Sequence, residues 1–177
     1  MATITLSSLT LSTFSTGLQT LTHILQKAQS HATSQSLDPD TNYPSARLIE
    51  DQLPLTFQIQ NATTTIRKTL NRLQGIQDQP WEDTETTFAE LFERIEKAKK
   101  VIEGSDKEKI DERAGEEVEL PLGQTTIKLS ARDSVLNQAI PNFYFHLNTA
   151  YSILRAKGVP VGKRDYIGAW VGPFLGQ

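Results

Sequence analysis

The sequence predicts an all-α domain, a four-helix bundle with one short β-hairpin between helices three and four. Two periodicities and one composition carry that expectation. Apolar residues recur at steps of three and four in four separated segments, and each such row is one face of a helix. In a single place they alternate at every second position across a glycine, which is the pattern of a hairpin. The chain has 177 residues, 37% of them hydrophobic and 22% charged, and a domain of that length buries roughly 70% of its unfolded surface. Residues 1–177 therefore read as one domain.

Helix one spans residues 6–28, with Phe14, Leu18, Leu21, Leu25 and Ala28 on one face. Thr33, Ser34, Asp38, Pro39, Asp40 and Pro44 follow, a cluster of turn formers that predicts a connecting loop. Ser45 can cap helix two, whose inward stripe reads Leu48, Asp51, Leu55, Ile59, Ala62, Ile66, Leu70 and Leu73 before Gly75 offers a stop. Pro54 falls inside that stripe. It predicts a kink near Glu50 or Asp51, or a helix begun in two pieces, because proline lacks the amide hydrogen and crowds the preceding turn.

Thr87 and Glu90 have capping-box spacing, and Phe88, Leu91, Ile95, Ala98 and Ile102 make helix three, which ends near Gly104. The charged residues 105–117 read as a solvated loop. Val118, Leu120 and Leu122, then Gly123, then Thr125, Ile127 and Leu129 form the hairpin. Ser130 and Asp133 open helix four, whose stripe is Leu136, Ala139, Phe143, His146, Ala150 and Ile153 or Leu154; Pro141 invites a second kink. Lys157, Gly158 and Pro160 close it, and Tyr166, Ile167, Trp170 and Phe174 predict that the tail packs down onto the bundle.

Several function classes are excluded at this stage. With 18 basic against 21 acidic residues, a net charge of −3 and no basic block, a nucleic-acid backbone is not an expected partner. Cys is absent, which removes disulfides, thiolate nucleophiles and sulfur-ligated zinc. No Gly-x-Ser-x-Gly elbow occurs, and Gly162-Lys163 follows no Gly-rich loop. Residues 1–16 lack a basic start and a continuous apolar core, and no run reaches the ~20 apolar residues of a membrane span, so a cytoplasmic protein with no membrane partner is expected.

Two residues stand out as candidates for chemistry. His146 lies three positions after Phe143 and four before Ala150, on the core-facing stripe, where an imidazole can transfer protons near working pH or serve as a ligand. Asp51 has the same placement on helix two, between Leu48 and Leu55, and a buried carboxylate there needs a partner: His146, Arg47, Tyr144 or Tyr151. Gln58, Asn142 and Asn148 add amide groups near these stripes. His23 and His31 read as surface residues, and Lys163, Arg164 and Asp165 as a staple holding the tail.

The run Pro141-Asn142-Phe143-Tyr144-Phe145-His146, continuing through Thr149-Ala150-Tyr151, Ile153-Leu154-Arg155 and Gly158-Val159-Pro160 to Gly162-Lys163-Arg164-Asp165-Tyr166, resembles the C-terminal signature of a family of uncharacterised bacterial and fungal proteins. Ala46-Arg47-Leu48 with Asp51 and Pro54-Leu55, and the run from Asp83 to Leu91, resemble the same family in the same order. The resemblance implies a DinB-like bundle of up-down-down-up type, often dimeric, with metal-dependent thiol transferases and isomerases among related families. Those relatives hold their metal with one His from the second helix and two from the fourth at i and i+4. Here His146 stands alone, with Asn142 and Ala150 one turn to either side and no His on helix two.

The leading expectation is a small-molecule pocket between the helices in which His146 and Asp51 move protons without a resident metal, as an isomerase, cyclase or lyase would, and Arg47, Gln58, Asn142, Tyr144 and Tyr151 line the ligand. One alternative is a metal-dependent hydrolase or thiol transferase with a divalent ion on His146, Asp51 and one further donor. The other is a non-catalytic homodimeric interaction module.

Overall fold

The computed structural model describes residues 4–175; the outermost residues of the expected domain, 1–3 and 176–177, lie outside the described part. Four long helices carry the fold: α1 (Leu6–Ser34), α3 (Leu55–Gln74), α4 (Phe88–Glu103) and α7 (Ile140–Ala156). Short pieces connect them: α2 (Pro39–Asn42), α5 (Lys107–Glu112), the hairpin β1 (Glu117–Leu122) and β2 (Thr125–Ser130), and α6 (Ala131–Ser134), with α8 (Lys163–Val171) following α7. No described helix is long and apolar enough to cross a membrane.

Side-chain partners give the helix directions. Thr63 meets Arg94 and Gln74 meets Ser105, so α3 and α4 run parallel. Gln58 meets His146 and Thr65 meets Asn142, so α3 and α7 run antiparallel. Ser7 at the start of α1 bonds Asp111 just beyond α4, while Asp40 just beyond α1 accepts the Phe88 amide at the start of α4, so those two are antiparallel as well. The result is the up-down-down-up bundle, with α1 and α3 each packed on both α4 and α7.

Parallel neighbours need a connection as long as the helix they flank. The 20 residues of α3 rise about 30 Å, and residues 75–87 return that distance as an extended strap. Arg94, buried on the inner face of α4, ties the strap down: Nε donates to Thr63 Oγ1 at 2.8 Å, Nη1 to the Glu82 carbonyl at 2.9 Å and Glu85 Oε1 at 2.8 Å, and Nη2 to Thr64 Oγ1 at 3.0 Å. Asp83 completes the set at 2.7 Å. Trp81 of the strap lies against the cations of Arg67, Arg94 and Lys97, 4.5–5.6 Å from its ring centre.

Four local expectations need correction. Helix two does not start at Ser45: Pro54 occupies its N-cap and α3 begins at Leu55, because the residue before a proline is pushed out of helical geometry. Leu48 and Asp51 therefore leave the inner stripe and lie exposed in a turn that Arg47 closes by donating to the Gln52 carbonyl at 2.8 Å. Residues 105–117 are not wholly a solvated loop, since Asp106 caps α5, which buries Ile110 and presents Asp111 to the Ser7 amide and hydroxyl at 2.7 Å each. Finally, a wide π turn (Val135–Ala139) precedes Pro141, which has no amide hydrogen to continue an α-helical ladder. The extra residue in that turn rotates the register, so Val135 is buried and Leu136 is 43% exposed. The hairpin and the capping box of Thr87 with Glu90 stand as read; the tail packs down through Tyr166 and Trp170, whereas Phe174 is 85% exposed.

Candidate functional site

Two polar rungs cross the seam between α3 and α7. In the first, Gln58 and His146 are both buried, at 2% and 6% exposure, with Oε1 and Nδ1 2.8 Å apart. Gln58 Nε2 donates to the Leu53 carbonyl at 2.8 Å, a carbonyl freed by the helix start at Leu55. That bond fixes the amide with its oxygen toward the ring. An amide oxygen only accepts, so the proton sits on Nδ1 of His146 and Nε2 keeps its lone pair. No described residue bonds Nε2. Burial pushes the imidazole down to about 4, so the ring is uncharged at neutral pH. Phe57 and Phe145 meet it edge to face, with centroids at 5.9 and 5.2 Å.

In the second rung, one turn along α7, Asn142 Nδ2 donates to Thr65 Oγ1 at 2.8 Å and reaches Asn61 Oδ1 at 3.3 Å. Both bonds use the amide nitrogen, so its oxygen remains an acceptor without a described partner. Asn142 lies at the edge of a cleft of about 690 Å³ bounded by α3, the turn of the hairpin and the π turn. That volume falls within the range of small-molecule sites.

The other expected site residues lie elsewhere. Asp51 and Arg47 sit on the exposed turn before α3, and His146 bonds Gln58 where the sequence had offered Asp51 as its partner. Tyr144 and Tyr151 are on α7 but face α8, against Trp170 at 5.6 Å and Tyr166 at 5.5 Å, and burial raises the Tyr144 hydroxyl above its usual range. The structure thus brings together His146, Gln58 and Asn142 along one seam and leaves Asp51, Arg47, Tyr144 and Tyr151 outside it. The tail is stapled by Asp165, which accepts from His23 and Lys27 at 2.9 Å each and from the Gly162 amide at 2.8 Å.

The donor set does not fit a resident divalent ion. Gln58, Asn61 and Thr65 surround His146 and Asn142 with neutral groups already bonded to one another, and no described cluster of three His, Cys, Asp or Glu exists. Three such ligands are the usual minimum for zinc.

Sequence reading passed over Arg94 and the cleft residues Lys68, Thr69 and Arg72. Arg94 was visible as a charge three residues after Leu91 and four before Ala98. The row Asn61, Thr65, Thr69, Arg72 was visible as a polar file running beside the apolar stripe of α3.

The up-down-down-up bundle with a hairpin ahead of its last long helix is of the DinB-like class. The chain belongs to the family described as "Domain of unknown function (DUF1993)", whose profile matches residues 6–167. A crystal structure of a DinB family member protein from Shewanella denitrificans is similar, with 37% identity, a TM-score of 0.84 and 92% of each chain covered. No curated protein matches the sequence.

Proposed function

We propose that this DinB-like protein binds a small organic molecule in the cleft beside the α3/α7 seam, without a resident metal, and that His146 serves there as an uncharged proton acceptor. The observation that carries the reading is the cleft itself: it opens on the α3/α7 seam, where polar side chains interrupt the apolar packing, and its edge residue Asn142 stands one helical turn before His146. A neutral imidazole held in one tautomer can accept a proton or a hydrogen bond at its free ring nitrogen.

The test is a screen of neutral, acidic and basic fragments by ligand-observed NMR, run on wild type, Asn142→Leu and His146→Gln. Hits that Asn142→Leu abolishes, and whose turnover His146→Gln removes while binding persists, are the expected outcome. Hits indifferent to Asn142→Leu would move the ligand elsewhere. Stoichiometric zinc, nickel, iron or manganese taken up by wild type and lost in His146→Ala would overturn the metal-free part.

A further inference from the structure

The side chain of Arg72, in the last turn of α3, has five N–H donors and forms no hydrogen bond or ion pair with any described residue. Its Nη1 is sealed from solvent and still unpartnered. Such a group is costly to leave alone, because a desolvated guanidinium loses its water without gaining an acceptor. Asp78, which also lines the cleft, lends Arg72 a favourable charge but no bond: its carboxylate is engaged by Arg67 Nη2 at 3.1 Å and Asn71 Nδ2 at 2.9 Å. A cation in the last turn of a helix gains a little from the dipole, but that gain needs no burial.

Arg72 lines the 690 Å³ cleft together with Lys68, which is also unpaired among the described residues, and Thr69. Thr69 is 1% exposed. The lining also carries apolar side chains: Ile76 from the strap and Leu120, Pro121 and Leu122 from the hairpin. The cleft therefore combines two cationic side chains with an apolar surface, and the one carboxylate on its lining, Asp78, is already neutralised by Arg67. This occurs on a chain whose net charge is −3, so the cleft is not an extension of a generally basic surface.

We propose that the cleft takes a small organic oxyanion, a carboxylate or phosphate monoester on an apolar body, with the head group on Arg72, Lys68 and Thr69 and the body against Ile76 and the hairpin. The assignment rests on the small-molecule reading above and adds the chemical class. Arg72 supplies a planar fork that matches either head group through two parallel N–H···O bonds, Lys68 adds a mobile charge at the mouth, and the Thr69 hydroxyl donates one further bond.

The experiment titrates the full chain with benzoate, phenyl phosphate, inorganic phosphate and the neutral isostere benzamide, followed by amide shifts in ¹⁵N-labelled protein. The two organic anions should shift residues 64–76 and 120–123, lose affinity as salt is added and bind at least about tenfold more weakly to Arg72→Gln. Lys68→Gln should weaken them less. Preference for phenyl phosphate over benzoate, or the reverse, names the head group, and a response to inorganic phosphate as strong as to phenyl phosphate would remove the apolar body from the assignment. Arg72→Gln should fold with an unchanged or higher melting temperature, because the guanidinium has no bond within the protein to lose. Should it fail to fold, Arg72→Lys keeps the charge, removes the fork and must still weaken both anions. Equal anion affinity in the folded variants overturns the proposal, as does benzamide binding as well as benzoate, which would leave the small-molecule reading standing. Absence of any shift from anions and benzamide alike at about 10 mM would overturn both.

Discussion

Nδ1 of His146 and Oε1 of Gln58 lie 2.8 Å apart across the α3/α7 seam, and the Leu53 carbonyl holds the Gln58 amide in the orientation that makes this contact. The imidazole is thereby oriented and kept neutral, with its value lowered from 6.5 to about 4 by burial. Between those two values the unfolded chain binds a proton that the folded chain refuses. Stability should therefore fall as pH drops from about 6.5 to about 4, and be level with respect to this group above and below that window. At 1.36 kcal/mol per unit the loss is roughly 3 kcal/mol. Urea unfolding of wild type and His146→Gln across the window checks it. The wild type should lose stability faster than the variant, and parallel profiles would show that the ring is not protonated with such difficulty.

Gln58→Leu removes the acceptor of Nδ1–H and the donor to the Leu53 carbonyl while keeping side-chain volume. Leaving the buried Nδ1–H unpaired costs about 1–3 kcal/mol, and the Leu53 carbonyl, on a half-exposed residue, adds less, so a fall in the urea midpoint is expected. The ring nitrogens give a sharper readout. In wild type at neutral pH, ¹⁵N shifts should report a protonated Nδ1 and a bare Nε2, and the variant should shift population toward the other tautomer. An unchanged tautomer in Gln58→Leu would mean that something other than Gln58 fixes it.

Gly17 of α1 packs against Phe143 and Leu147 of α7. A Cβ built there would come within 2.2 Å of Phe143 Cε1 and 2.5 Å of Cζ, and that ring is already held edge to face against Phe14 at 5.2 Å. Gly17→Ala should therefore destabilise by about 1–3 kcal/mol or more through overpacking, although alanine is the better helix former by about 1 kcal/mol. Pairing it with Phe143→Leu, which clears the clash, should recover part of the loss in a thermal melt. A stable Gly17→Ala would show that the helices separate more easily than their packing suggests.

The long helices were legible because burying one face imposes a period, and α1, α4, α7 and most of α3 carry that period without interruption. The start of α3 was misread for a specific reason: Leu48 and Asp51 happen to continue the spacing of Leu55 and Ile59, while Pro54 between them ends the helix. Periodicity counts side chains, whereas the boundary is set by the proline ring, which keeps the residue before it out of helical geometry. The same limit applies to Leu136, whose register the π turn shifts by one residue. His146 was legible as an inward polar residue, but its partner was not, since Gln58 faces it only in the antiparallel arrangement of α3 and α7. Arg72 escaped notice because an unpaired charge in a cleft and a solvated charge on a helix end look alike until their neighbours are placed.

The tail offers the last test. Asp165, in the first turn of α8, is pulled two ways: burial opposes its charge, while hydrogen bonds from His23, Lys27 and the Gly162 amide, with the charge of Lys27, outweigh that and hold it at about 2. The folded value lies below the ordinary 3.8, so the stabilisation is complete above 3.8 and is lost as pH falls from 3.8 toward 2. At neutral pH Asp165→Asn should therefore cost roughly 1–2 kcal/mol, with the exposed side of the cluster limiting the effect. The loss should be local, because α8 is held to α1 by this cluster and by the Thr20 hydroxyl donating to the Tyr166 carbonyl at 3.1 Å. Hydrogen exchange of residues 163–171 should accelerate in Asp165→Asn, and Lys27→Met should give a weaker copy of the same change. Amides of α3 should keep their protection, since none of its side chains touches the cluster. If residues 163–171 stay as protected as in wild type, the aromatic contacts of Tyr144 with Trp170 and of Tyr151 with Tyr166 hold the tail without help from charge.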